Sequence, residues 1–207
     1  TFKRIQTLVR AKYSDAREAL AYFNKNKDAP PYLIEMGLGI CYSRINKVSD
    51  AAAAFDSALR AAPQDPIVWR ESGIFHFNKG RQDLASEYLN KAVHMNPQDY
   101  EASFYYARVL LEDGDTRTAF EQFQNVLRYL PESSETHYYY GRALLSNGQA
   151  FKGNLHLAYS GLYQNDRRKT ENFMEKAKAK IASPQDQASF DRFKSIYDER
   201  VEFWDNK

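Results

Sequence analysis

Apolar and small residues recur along this chain at a fixed interval, with polar residues between them. Gly39, Gly73, Ala107 and Gly141 stand 34 residues apart, as do Ala51, Ala85, Ala119 and Gly153. Phe55, Leu89, Phe123 and Leu157 form a third column, and Ala58, Ala92, Val126 and Ser160 a fourth. A 34-residue period marks a unit of two helices and a turn that stacks on its neighbours. Gly39, Ala51 and their equivalents are placed where paired antiparallel helices come closest, because backbones meet at about 8 to 10 Å only past small side chains. Phe55, Leu89, Phe123 and Leu157 follow the small Ala or Gly by four residues, on the same helical face, and fill the space between adjacent pairs.

Glycine and proline keep the same time. Gly80, Gly114 and Gly148, with Asn46 one period earlier, tolerate the left-handed backbone that ends a helix and so separate first from second helices. Pro63, Pro97 and Pro131 mark the turn after each second helix. Asp65 before Pro66 reads as an N-cap and first helical residue, and Asp99 is the corresponding cap one repeat later. First helices are predicted near 32–45, 66–79, 100–113 and 134–147, and second helices near 49–62, 83–96, 117–130 and 150–163. Ahead of them, Phe2 to Lys12 and Ala16 to Asn26 predict a further pair, with Ser14 or Asp15 capping the second helix. Lys27-Asp28-Ala29-Pro30-Pro31 then breaks any helix. Behind the array, Lys169 to Ile181 and Gln185 to Trp204 add two helices parted by Ser183-Pro184. The expectation is an all-α solenoid of about twelve helices without strands, a single domain over 1–207. It divides into an N-terminal pair (1–29), four repeats (32–165) and a C-terminal capping pair (166–207).

These columns resemble the tetratricopeptide repeat (TPR). Leu38-Gly39, Tyr42, Ala51, Phe55, Ala58 and Pro63 form the most faithful repeat, and Trp69, Ser72-Gly73, Ala85, Leu89, Ala92 and Pro97 the next. The likeness is close over residues 32 to about 131 and weakens where Gly153, Ser160 and Asn165 replace the expected Ala, Ala and Pro. A narrower resemblance touches both ends: Phe2-Lys3-Arg4-Ile5 to Arg10-Ala11-Lys12, Ala19-Leu20-Ala21-Tyr22-Phe23, His137-Tyr138-Tyr139-Tyr140-Gly141-Arg142-Ala143, His156-Leu157-Ala158 and Gly161-Leu162-Tyr163 are similar to the TPR tail of BepA-like bacterial zinc metallopeptidases. That resemblance implies a non-catalytic module behind an HExxH-bearing peptidase domain, in contact with that domain and with outer-membrane assembly proteins in the periplasm. The alternative is a free-standing TPR adaptor, cytoplasmic if no export applies. Thr1 is not an initiator Met, and the expectation is a segment excised from something longer or processed.

Composition narrows the chemistry. Among 207 residues, 29 Lys and Arg balance 27 Asp and Glu for a net charge of +2, too little for a strong global field toward nucleic acid, which ranks last among partners. No apolar run approaches the roughly 20 residues of a membrane span. The single Cys41 excludes an internal disulfide framework and, in a first helix among apolar neighbours, reads as a buried inert thiol. His76, His94, His137 and His156 are never three or four residues from one another or from Cys41, so no local metal site is expected. His76 falls in the column of Tyr42 and reads as core. With no HExxH, nucleophile elbow or phosphate loop, no catalytic residue and no cofactor are assigned.

Binding is the remaining reading. First helices line the inner face of such a solenoid, and the inward positions carry Arg70, Phe104, Arg108, Tyr138 and Arg142, with Phe77, Tyr105 and Tyr139 beside them. Guanidinium forks and rigid rings suit a protein or peptide segment bearing acidic and apolar side chains. The competing reading pairs these arginines with Glu71, Glu101 and Glu112. The Asn and Lys of a chaperone-tail clamp are replaced by Ile40, Ile74 and Tyr105. The basic run Arg167-Arg168-Lys169 with Lys176, Lys178 and Lys180 is read as a solvated face balanced by Asp166, Glu171 and Glu175.

Overall fold

The computed structural model describes residues 2–25 and 28–205. Those residues form twelve α-helices and no strand: α1 (Phe2–Tyr13), α2 (Ala16–Lys25), α3 (Pro31–Arg44), α4 (Val48–Ala61), α5 (Pro66–Asn78), α6 (Gln82–Met95), α7 (Tyr100–Glu112), α8 (Thr116–Tyr129), α9 (Ser134–Ser146), α10 (Ala150–Tyr163), α11 (Arg167–Lys178) and α12 (Pro184–Asp205). Asn26, the expected last residue of α2, and Lys27 lie outside the described residues, as does Thr1. The caps explain the starts. Asp15 Oδ1 accepts from the Arg17 and Glu18 amides, Asp65 Oδ1 from Ile67, and Asp99 Oδ1 from Ala102. Asp166 accepts from the Lys169 amide, and so α11 begins two residues before the expected Lys169.

Two compact units follow one another along the chain, Thr1–Val109 and Leu110–Lys207, with the boundary inside α7. In the first unit, Phe23, Phe55, Phe75, Met36 and Leu89 are fully buried. A Cβ on Gly39 would lie 3.0 Å from the Phe55 ring, and one on Gly73 2.7 Å from Leu89 Cγ, so the small column does mark the closest approach within each helix pair. Phe55 also meets Phe75 of the next pair with ring centroids 5.3 Å apart, which puts this column between pairs as well as within them.

In the second unit α9 and α10 touch backbone to backbone. A Cβ on Gly141 would sit 2.9 Å from the Gly153 carbonyl oxygen, and one on Gly153 2.8 Å from that of Gly141. The left-handed turns predicted at the glycine slots are present, with Asn46 filling its slot at φ 60°. Asn165 departs from expectation: standing where earlier repeats place Pro, it adopts φ 57°. That is the turn of Gly148 repeated half a period later, and it folds α11 tightly back on α10. Gly161 then approaches Thr170 so closely that a Cβ there would be 2.8 Å from the Thr170 amide. α12 completes this unit, burying Phe190, Phe193 and Tyr197 with Leu162, Met174 and Ala177.

Candidate functional site

The five predicted groove residues fall into two groups, one per unit. In the first unit Arg70, on α5, is only 8% exposed. Its Nε and Nη2 donate to Glu71 Oε1 at 2.9 and 2.6 Å, its Nη1 donates to Asp99 Oδ2 at 2.9 Å, and Glu101 lies 3.4 Å away. Burial alone would lower its pKa, but Glu71, Glu101 and Asp99 together hold it above the usual arginine value. The expectation of an open groove position is corrected here: Arg70 is committed to the acidic pairing named as its alternative. Lys12 of α1 joins the same carboxylates, 2.8 Å from Glu71 and 2.7 Å from Glu101, and Arg4 reaches the α5 cap residue Asp65 at 2.7 Å. Nothing in sequence spacing links Lys12 or Arg4 to α5, and this network was missed.

Phe104 is likewise buried, at 7% exposure, and acts as a wall, not a free contact. Arg108, on the next turn of α7, is half-buried with its guanidinium carbon 4.6 Å from the Phe77 ring centroid and 5.6 Å from those of Phe104 and Tyr105. The rings meet edge to face, Phe77 with Tyr105 at 5.6 Å and Phe104 with Tyr105 at 5.3 Å. A cation over a rigid aromatic set is held in place by the negative faces of the rings. Nearby, a cavity of about 300 Å³ is lined by Lys12, Ile40, Glu71, Ile74, Glu101 and Tyr105 among others.

The second unit presents Tyr138, Tyr139 and Arg142 on α9. Arg142 is exposed, its Nη1 donating to Tyr138 Oη at 3.2 Å, and Lys169 of α11 lies 5.3 Å from the Tyr138 ring centroid. Tyr139 and Arg142 line a cavity of about 320 Å³ with Leu111, Thr116, Ala143 and Ser146. Within the basic run of α11, Arg167 pairs with Glu171 at 2.9 Å and Asp205 at 2.7 Å, and Lys169 donates to Ser160 and Gln164. Cys41 is fully buried, and burial pushes its thiol up to about 11, the inert state expected of it. His76 is buried against Phe75 and Tyr88, as its column implied.

Two histidines form a contact that spacing within one helix could not reveal. His137 of α9 and His156 of α10 approach Nδ1 to Nδ1 at 2.8 Å, and His137 Nε2 lies 2.8 Å from the Pro131 carbonyl oxygen. A carbonyl only accepts, so His137 carries its proton on Nε2, its Nδ1 accepts from His156 Nδ1–H, and His156 Nε2 keeps a lone pair. Burial drives both rings toward the neutral state, His137 down to about 4 and His156 to about 3, the latter helped by the proximity of His137 and Lys152. Only the superposition of a first helix on its own second helix could have signalled the pair. Among the described residues no group of three or more His, Cys, Asp or Glu is arranged to hold a metal, and no helix is long and apolar enough to cross a membrane.

Paired helices on a 34-residue period, packed through small residues and turned at left-handed Gly or Asn, make this an α-solenoid of tetratricopeptide repeats. The tetratricopeptide repeat family matches residues 8–66 and 36–100, and the anaphase-promoting complex, cyclosome, subunit 3 family matches residues 78–166. The human Superkiller complex protein 3 is 28% identical over 90 residues, which are 44% of this chain and only 6% of that protein. Among solved structures, YrrB, a TPR protein with an unusual peptide-binding site, has a TM-score of 0.63 at 22% identity, over 84% of this chain and 90% of that one. A MamA structure gives 0.66 at 20% identity over 80% and 99%, and MamA from Desulfovibrio magneticus 0.63 at 15% over 86% and 98%. At these identities the likeness to the solved structures is one of fold.

Proposed function

We propose that this chain is a protein-interaction module, an adaptor that holds a protein or peptide segment carrying acidic and apolar side chains against its first helices. The observation that carries the reading is Arg108 poised over Phe77, Phe104 and Tyr105 in the first unit; the second unit, taken by itself, carries its own cation and ring, Arg142 and Tyr138. Support comes from the peptide-binding site that the description of YrrB names, and from the multi-protein complexes named for two of the sequence matches. None of the relatives named above is described as a peptidase. The metallopeptidase tail, its peptidase-domain and outer-membrane partners and a periplasmic location therefore rest on the end-to-end sequence resemblance alone, and the free-standing adaptor is the reading adopted.

Comparing the proteins retained by immobilised wild-type chain with those retained by Arg108→Glu and Arg142→Glu variants tests the surface. Partners lost from either variant, with far-UV circular dichroism unchanged, are the expected result. An unchanged set of partners would place binding elsewhere.

A further inference from the structure

A cavity of about 590 Å³ in the second unit, sharing no lining residue with the Tyr139–Arg142 cavity, lies between the second helices α8 and α10 and the first turn of α12, with Tyr140 of α9 in its lining. Its floor is apolar, formed by Leu127, Phe151 and Leu155. Arg128 and Lys152 stand at its rim, both exposed, and among the described residues neither has a carboxylate partner. The acidic lining residue is Asp186, whose carboxylate accepts from the Ala182 amide at 3.2 Å within the turn that starts α12. Gln124 donates to Tyr140 Oη at 2.9 Å, which fixes that amide's orientation in the wall. His156 also lines the cavity whereas His137 does not, so the His156 edge turned from its partner, bearing the bare Nε2, is the one available to an occupant.

We propose that this cavity is a second binding site, distinct from the first-helix face, and that it takes an extended acidic peptide segment with at least one apolar side chain. Each part of such a ligand has its complement. Carboxylates meet Arg128 and Lys152, an apolar side chain covers Phe151 and Leu155, and a peptide N–H donates to His156 Nε2. The apolar floor sets a peptide apart from a free anion, since inorganic phosphate has no apolar group to cover Phe151 and Leu155. The site does not depend on the first-helix reading, and either can fail without the other.

The test uses the full chain and a short fluorescein-labelled peptide alternating Glu and Leu, beside its counterpart with Gln in place of Glu, read by anisotropy. The acidic peptide is expected to bind at least about tenfold more tightly than the Gln peptide. Arg128→Glu combined with Lys152→Glu weakens it by about tenfold or more, while the charge-matched exposed double change Arg117→Glu with Lys180→Glu does not. Ring nitrogen NMR reads the third element: the His156 Nε2 resonance moves when the peptide binds. Absence of binding, equal binding of the Gln peptide, displacement by equimolar inorganic phosphate, or loss confined to Arg142→Glu would each overturn the proposal. The last would move the peptide to the first-helix face.

Discussion

At the scale of single residues, the small columns were legible because helix approach distance depends directly on side-chain size, and size can be read from sequence. The consequence is testable where glycine faces backbone. Gly141→Ala gains about 1 kcal/mol of helix propensity, yet its Cβ would meet the Gly153 carbonyl oxygen at 2.9 Å, and backbone cannot swing away as a side-chain tip can. The clash wins: destabilisation of about 1 to 3 kcal/mol is expected, visible as a lower urea midpoint. Arg70 and Phe104 were misplaced for a related reason. A periodic column says which face a residue occupies but not how many neighbours close over it. The histidine pair yields a pH prediction. Both folded-state values lie below the roughly 6.5 of an unfolded histidine, so stability is full above that pH and falls as pH drops toward the folded values near 4 and 3. Thermal midpoints measured between pH 7 and 4 should decline, and His156→Phe should flatten that decline. A wild-type profile no steeper than the variant's would mean that the rings are not buried neutral.

At the scale of elements, the helices were readable to within a residue or two where caps and prolines punctuate them, as at Asp65-Pro66 and Asp99. What holds α1 to the elements beyond it was not readable. Arg44 donates to the Ala11 and Ser14 carbonyl oxygens at 2.7 and 2.9 Å, and Lys12 and Arg4 reach α5 and its cap. These contacts join residues 30 to 61 positions apart and follow no period. The energetic centre of that network is Arg70. Replacing it with Ala leaves Glu71 and Asp99 buried, Asp99 without its guanidinium and Glu71 with Lys12 alone, and should cost about 3 to 5 kcal/mol in chemical denaturation. Arg117→Ala, which breaks an exposed pair with Glu121, should cost less than about 1 kcal/mol.

For the molecule as a whole, repeat arrays distribute stability through nearest neighbours, so a local lesion stays local. Gly141→Ala should therefore speed amide exchange in α9 and α10 well before it affects α3 to α5, a pattern that hydrogen-exchange mass spectrometry resolves. The architecture was legible for as long as the period held, and it ceased to be so at Asn165, where the same turn geometry arrives half a beat early. That turn makes α10 serve two partners at once, as second helix to α9 and as opening helix to α11. The rhythm is thereby inverted, and a standard unit grafted after Tyr163 would meet the wrong side of its neighbour. In this chain one left-handed asparagine acts as a full stop, ending the repeating series by a change of phase, with no loss of helix.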